Sequence, residues 1–107
     1  MKIRTLLAAL CLWPALAMAQ AYPSKPVRIM VGANAGGGTD IIARMLAEKM
    51  AESLKGSFVV ENRPGAQGII AVENVAKSAP DGHSILMGPS GPMSINPAIY
   101  AKLPYDP

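Results

Sequence analysis

The chain has 107 residues, of which 50% are apolar and 16% are charged, and its formal net charge is +3. This length accommodates no more than one small domain. The apolar fraction excludes a disordered chain, and a single cysteine excludes both a disulfide framework and a cysteine-rich zinc site within one chain.

The amino-terminal residues have the pattern of a secretory signal peptide. Lys2 and Arg4 precede an apolar run over residues 5–16, and a small-x-small cleavage motif ends at Ala19. The run is shorter than the ~20 residues that a membrane-spanning helix needs. We therefore predict cleavage after Ala19, export to the periplasm, and a mature chain over residues 20–107. A second possible cleavage motif, Ala19-Gln20-Ala21, ends two residues later.

Most of the positive charge belongs to this signal segment. Residues 1–19 contain two basic residues, no acidic residue and the only cysteine of the chain. The mature chain therefore keeps an excess of a single positive charge. Such a balance gives no argument for nucleic-acid binding, and we expect no nucleic-acid partner.

The mature chain alternates short apolar runs with helical patterns. Residues 27–31, a run that starts at 58–60, and residues 84–87 predict strands. A first amphipathic helix is expected from Ile41 to a stop at Gly56, and a second is marked by apolar residues between 69 and 79. The apolar stripe of the first helix is expected to face the core, and its members are Ile42, Met45, Leu46, Met50 and Leu54. From residue 94 onward we expect a short helix or an irregular segment.

This order of elements predicts an α/β fold with a parallel sheet. Parallel neighbours need crossover helices, and both sheet faces must then be covered, which agrees with continuous apolar strands. Three strands are accompanied by only two such helices. We therefore expect the chain to form the beginning of a larger α/β protein.

Three glycine-rich segments follow the predicted strands, and they are here named the first loop (residues 32–40), the second loop (62–68) and the third loop (88–96). Ligands of parallel α/β folds bind beyond the carboxyl ends of strands, where loops lead into helix N-termini. Helix N-termini present free N–H donors and a partial positive charge. These loops therefore predict an anion-binding site that relies on backbone and hydroxyl donors.

The first loop matches neither of the two common nucleotide-binding glycine patterns. The nucleotide P-loop pattern fails because Gly38 stands at the required lysine, and the dinucleotide pattern fails because Ile41 stands at the third glycine. Glycines that only permit a tight turn remain an alternative. Thr39 and Asp40 are interpreted as helix-capping residues, and Asp40 has a second possible role as the partner of a ligand ammonium group.

Residues typical of catalysis are sparse and isolated. His83 is the only histidine, and no cysteine or second histidine lies near it in the sequence. Ser90 is expected on an exposed loop, but its surroundings differ from the G-x-S-x-G nucleophile motif, so we predict a hydrogen-bonding role for it. We predict no catalytic residue, no metal site and no cofactor.

Several sequence blocks together resemble one known family. In chain order they are the signal peptide, Tyr22-Pro23-x-Lys25-Pro26-Val27-Arg28, Gly36-Gly37-Gly38-Thr39-Asp40, Val60-Glu61-Asn62-Arg63-Pro64-Gly65-Ala66, Pro80-Asp81-Gly82, Ile95-Asn96-Pro97 and Leu103-Pro104-Tyr105-Asp106-Pro107. Their order and spacing resemble the Bug family, the periplasmic solute-binding receptors of tripartite tricarboxylate transporters. Members of that family are two-lobed "Venus flytrap" proteins about three times as long as this chain. The resemblance therefore implies a partial N-terminal lobe over residues 20–107, from a fragment or a truncated product.

The resemblance also implies a function and a set of site residues. Family members bind a small carboxylate between the lobes and present it to membrane permease subunits. Carried over by motif, the ligand-binding residues in this chain are Gly36, Gly37, Thr39, Asp40, Gly65, Ala66, Gly68 and Ser90. Alternatives are an orphan or sensory receptor without a transport partner, the N-terminal part of an α/β enzyme, and a non-functional remnant.

Overall fold

The computed structural model describes residues 21–107, which form a small parallel sheet with helices on both faces. The predicted signal peptide therefore lies outside the described residues. The elements in chain order are β1 (Val27–Val31), α1 (Gly38–Leu54), β2 (Phe58–Asn62), a short turn (Ala66–Gly68), α2 (Ile69–Ala76), β3 (Ser84–Met87), a π-helical turn (Gly91–Ile95) and α3 (Asn96–Ile99).

The sheet has the strand order β2-β1-β3, and both pairings of the central strand are parallel. Ile29 of β1 lies opposite Val60 on one side and Ile85 on the other. The predicted α/β class with parallel strands is confirmed. Since β1 has a neighbour on each side and a helix over each face, four of its five residues are buried.

The side chains of β1 alternate between the two faces, as the period of a strand requires. Ile29 and Val31 pack against Ala43 and Ala47 of α1. From the opposite face, the guanidinium of Arg28 donates a hydrogen bond of 3.3 Å to the Asn74 side chain, close to the carboxyl end of α2. The two long helices therefore cover opposite faces of the sheet.

The predicted core-facing stripe of α1 is wrong. Met45 is 63% exposed, Ile42, Leu46 and Leu54 are also exposed, and only Met50 is half-buried. The face turned to the sheet carries Asp40, Ala43 and Ala47, which recur at three- and four-residue steps and therefore lie on one side of the helix. Small alanine side chains let the helix approach the strands closely, and Asp40 on the same face is buried and accepts hydrogen bonds from the first loop and from Asn62 of β2.

The helix ends also differ from the predictions. α1 begins at Gly38 and ends at Leu54, and Lys55, one residue before the predicted stop at Gly56, adopts the left-handed conformation (φ 51°). α2 ends at Ala76, before the end of the apolar pattern at residue 79. Within residues 21–107, no helix is both long and apolar enough to span a bilayer.

The exposed residues Ile41, Ile42, Met45 and Leu46 form a contiguous surface, here named the α1 apolar surface. We expect residues 20–107 to self-associate through it, because apolar side chains left in water favour association. Sedimentation equilibrium should show an average mass that rises with concentration. Ile42→Glu combined with Met45→Glu should weaken the association by about tenfold or more, which corresponds to about 1.4 kcal/mol.

Ser53→Glu is the matched control, because it adds a negative charge at an exposed polar position of the same helix. It should leave the association constant unchanged. A mass that stays monomeric at all concentrations, together with a cooperative thermal transition, would show that the α1 apolar surface does not drive association.

Candidate functional site

The three loops meet at one edge of the sheet. Parallel pairing places the carboxyl ends of β1, β2 and β3 side by side. At the junction of the first and second loops, the Arg63 N–H donates to the Val31 carbonyl over 2.8 Å. A Cβ added to Gly32 would lie 3.0 Å from the Cα of Gly68, and one added to Gly68 would lie 2.6 Å from the Cγ of Pro92. Glycine at these two positions therefore permits the close contact between the loops.

A buried carboxylate organises the first loop. Asp40 is 2% exposed, and its Oδ2 accepts hydrogen bonds from the Gly36 N–H (2.8 Å) and from the Arg44 Nε (2.9 Å). Its Oδ1 accepts from the Asn62 Nδ2 (3.0 Å), which also donates to the Ala33 carbonyl (3.1 Å). This set of contacts, here named the Asp40 clasp, joins the first loop, α1 and the end of β2.

These contacts stabilise the ionised form of Asp40. The hydrogen bond from Arg44 makes the largest contribution, followed by those from Gly36 and Asn62, and together they lower the pKa of Asp40 from 3.8 to about 2. The carboxylate is therefore charged at neutral pH and lies beside the Arg44 guanidinium. A negative charge that would repel an anionic ligand is thus neutralised within the protein.

The capping interpretation of Thr39 and Asp40 is wrong. The N-cap of α1 is Gly37, and no side chain caps it by a hydrogen bond. Asp40 instead accepts from the backbone of Gly36, one residue before the N-cap. Both of its oxygens accept hydrogen bonds from donors within the protein. Asp40 is therefore not a free carboxylate at the surface, and its contacts hold the first loop in place.

The other predicted residues of the first loop are accessible at the carboxyl edge. Gly36 and Gly37 are exposed and Thr39 is half-exposed. Gly36 has φ 86°, a conformation that favours glycine. The N–H groups in the first turn of α1 have no acceptor within the helix. The first loop therefore presents backbone donors and one hydroxyl next to the positive end of a helix dipole.

The predicted residues of the second and third loops differ in their exposure at the carboxyl edge. Gly65 and Ala66 are exposed, whereas Gly68 is buried. Gly68 lies between Gly32 and Pro92, so its position indicates a packing role. Ser90 is exposed and lies directly before the π-helical turn. All eight predicted residues thus lie at or beneath one edge, and two of them, Asp40 and Gly68, are buried.

Two side-chain cations lie near this edge, and each is paired with a carboxylate. Arg44 of α1 is paired with Asp40 (2.9 Å). Arg63 is the only basic residue in the three loops, and it is paired with Glu61 (2.6 Å). Among residues 21–107, no group of three His, Cys, Asp or Glu side chains has the arrangement of a metal site. The accessible polar groups of the three loops are therefore mainly backbone N–H groups and hydroxyls.

His83 lies at the opposite edge of the sheet, directly before β3. Its Nε2 accepts from the Ser24 N–H (3.3 Å), its Nδ1 lies 3.1 Å from the Asp81 carbonyl, and its ring contacts Tyr22. The Tyr22 hydroxyl donates to the Gly82 carbonyl. These contacts attach the segment before β1 to the turn before β3, which is a structural role.

The sequence interpretation assigned no role to two important side chains. Asn62 connects the first loop to β2, and Asn96 is buried next to the second loop, where its Nδ2 donates to the Gln67 carbonyl. A polar residue at the carboxyl end of a strand was a usable signal for Asn62. Asn96 had no such signal, because its partner lies 29 residues away in the chain.

The pKa of Asp40 predicts a pH dependence of stability. In the unfolded chain the carboxyl takes up its proton near 3.8, whereas the folded protein holds it ionised down to about 2. The Asp40 clasp therefore stabilises the fold fully above the unfolded pKa, and this contribution is lost as the pH falls from about 4 towards 2. Urea unfolding should show that the free energy of unfolding decreases as the pH falls over this range. The decrease should be smaller in the Asp40→Asn variant.

Glu48→Gln is the control, because Glu48 is exposed on the same helix. The free energy of unfolding of this variant should depend on pH in the same way as that of the parent protein. If the free energy of unfolding changes equally with pH in the parent and Asp40→Asn proteins between pH 4 and 2, the assignment of a buried, ionised Asp40 is contradicted.

Comparison with known proteins agrees with this architecture. A family model described as "Tripartite tricarboxylate transporter family receptor" matches residues 42–107. A UPF0065 protein of Bordetella bronchiseptica is 40% identical over 106 residues, which cover 96% of this chain and 32% of that protein. The chain thus spans about a third of the length of this curated relative.

Two solved structures from Rhodopseudomonas palustris have the same fold over the matched region. Rpa4515, solved with adipate, is 37% identical with a TM-score of 0.77, and the match covers 80% of this chain and 29% of that one. MatC, solved with bound malate, is 37% identical with a TM-score of 0.75, and the match covers 78% and 29%. The resemblance identified from the sequence blocks is confirmed, and the chain belongs to the receptor family of the tripartite tricarboxylate transporters.

Proposed function

We propose that this chain provides the first-lobe part of a periplasmic receptor site for a small carboxylate. The observation that supports it most directly is the meeting of three glycine-rich loops at one sheet edge, with accessible backbone around the N-terminus of α1. Two structural relatives contain the dicarboxylates malate and adipate. A carboxylate is one of the anions that backbone donors at a helix N-terminus accommodate.

The charges of the first loop support an anionic ligand. Asp40 is the only acidic residue of residues 32–40, and its carboxylate is buried against Arg44. The accessible part of the loop is therefore uncharged, with glycine backbone and the Thr39 hydroxyl available to a ligand. Such a site takes its attraction for an anion from N–H dipoles, which are already oriented by the loop.

A receptor role agrees better with the geometry than catalysis does. Ser90 follows the carboxyl end of β3, and His83 precedes its amino end, so the whole length of the strand separates them. A base and a nucleophile must lie within hydrogen-bond reach of each other to act together. The relatives described above belong to a receptor family, and we propose a non-enzymatic role for this chain as well.

The location and the partners belong to the same proposal. Residues 1–19 direct export and are removed in the periplasm, which is where a receptor of this family meets its solute. The complete receptor would deliver its carboxylate to membrane permease subunits. Family membership supports this partner.

Ligand binding is testable on residues 20–107 by NMR titration. With 15N-labelled protein, malate and adipate should shift amide signals within residues 36–40 and 65–69, because these donors lie at the carboxyl edge. Affinity should be weaker than micromolar, since the chain spans about a third of its relatives and supplies only part of the site. A submicromolar dissociation constant would show that this lobe alone forms a complete site.

Adipamide is the matched control ligand, because it has the shape of adipate without its charges. It should leave these amide signals in place. The proposal fails if the dicarboxylates produce no shifts, or if the shifts occur around Lys25 and His83 at the opposite edge of the sheet.

Export is testable on the full chain in a Gram-negative host. Mass spectrometry of the periplasmic fraction should find a product that starts at Gln20. Ala19→Phe should abolish processing, because the motifs that end at Ala19 and at Ala21 both need a small residue at position 19. Met18→Phe is the control, since the middle position of the motif tolerates large residues, and an uncleaved parent protein would contradict the assignment.

A further inference from the structure

The second loop has an unusual backbone conformation. Four consecutive residues have positive φ angles, namely Gly65 (126°), Ala66 (46°), Gln67 (53°) and Gly68 (86°). Glycine adopts such angles freely, whereas residues with a Cβ rarely do so. Two adjacent non-glycine residues in the left-handed region therefore require support from the surrounding structure.

This support comes from the segment that follows β3. Asn96 is 1% exposed, and its side-chain Nδ2 donates a hydrogen bond of 3.3 Å to the Gln67 carbonyl. Pro92 packs directly on Gly68. Within the turn, the Gly68 N–H donates to the Gly65 carbonyl over 3.0 Å. The left-handed turn is therefore held from one side by its own hydrogen bond and from the other by Asn96 and Pro92.

Asn96 is itself held firmly in place. Its backbone N–H donates to the Gly91 carbonyl, and its carbonyl accepts from the Tyr100 N–H (2.9 Å). The Tyr105 hydroxyl donates to the Pro92 carbonyl over 2.7 Å, which attaches the carboxyl-terminal residues to the same segment. The amide group of Asn96 therefore meets the Gln67 carbonyl from a fixed position.

We propose that Asn96 is a positioning residue of the carboxylate site. It does not need to touch the ligand, because its role is to hold residues 65–68 left-handed. This conformation sets the direction in which the N–H groups of the second loop point at the carboxyl edge. The inference deepens the proposed function and rests on it for its link to a ligand, but the conformation of the turn is measurable without one.

The test uses two substitutions with opposite effects on the turn. Asn96→Asp removes the donor and places a carboxylate oxygen against the Gln67 carbonyl, so the turn should lose its support. Gln67→Gly removes the cost of a positive φ at residue 67, one of the two non-glycine positions of the turn. The Cα chemical shift of Ala66 reports its left-handed conformation in the 13C,15N-labelled chain, at a concentration at which sedimentation shows a monomer. We expect this signal to be lost in Asn96→Asp and partly regained in the double variant, in which only Ala66 still needs support.

Ser94→Asp is the matched control, because it places a carboxylate at an exposed position of the same segment. It should leave the Ala66 shift unchanged. If Asn96→Asp does not fold, Asn96→Ala takes its place, because it removes the donor without adding charge. The Ala66 signal of Asn96→Ala is then compared with that of the Asn96→Ala, Gln67→Gly double variant. A left-handed Ala66 signal that persists without Asn96, or that Gln67→Gly does not restore, would overturn the proposal.

Titration with adipate separates this inference from the proposed function. Adipate-induced shifts at residues 66–68 should be lost in Asn96→Asp, retained at residues 36–39, and partly regained at 66–68 in the double variant. Absence of shifts in the parent protein would refute the carboxylate site, while the Ala66 signal would still decide whether Asn96 holds the turn. Unaltered shifts in Asn96→Asp would refute the positioning role while leaving the carboxylate site supported.

Discussion

Parallel pairing of β1 with both of its neighbours determines where every other feature of this chain lies. It places the ends of three strands at one edge, so that three loops separated in sequence come into contact. The same pairing requires crossover helices, and these cover the two faces of β1 and bury it. The opposite edge receives only the segment before β1 and the turn before β3, which Tyr22 and His83 connect. The proposed ligand site and the structural attachment therefore lie at opposite edges of the sheet.

The Asp40 clasp shows how a buried charge organises the first loop of the proposed anion site without being exposed to the anion. A carboxylate is costly to bury unless its oxygens are satisfied, and Asp40 obtains donors from Gly36, Arg44 and Asn62. These donors come from a loop, a helix and a strand. Burial of the charge therefore fixes the first loop and also removes a repulsive group from the surface that the ligand would contact.

The loops are also held by one another. Gly32 contacts Gly68, Gly68 contacts Pro92, and Asn96 bonds to Gln67. In the part of the chain that the structure describes, no buried side-chain nitrogen or oxygen lacks a hydrogen-bond partner. Preorganised backbone donors of this kind do not need to reorient when a ligand arrives, which lowers the cost of binding.

The sequence by itself determined the strand positions, the parallel α/β class and the family. The apolar runs at 27–31 and 84–87 were bounded by turn residues, and the glycine blocks had fixed spacing. These signals are local, because they depend on periodicity and on the backbone freedom of single residues. The sequence also indicated the edge at which the candidate site lies, since parallel strands place their loops together.

Only the tertiary structure decided which face of α1 meets the sheet and which polar residues hold the loops. Periodicity favoured the larger apolar residues such as Met45 as the core face, yet Ala43 and Ala47 occupy it. Asp40, on the same face, accepts from Asn62 at a separation of 22 residues, and Asn96 donates to Gln67 at a separation of 29 residues. Such contacts join residues that are distant in sequence, so no local pattern contains them.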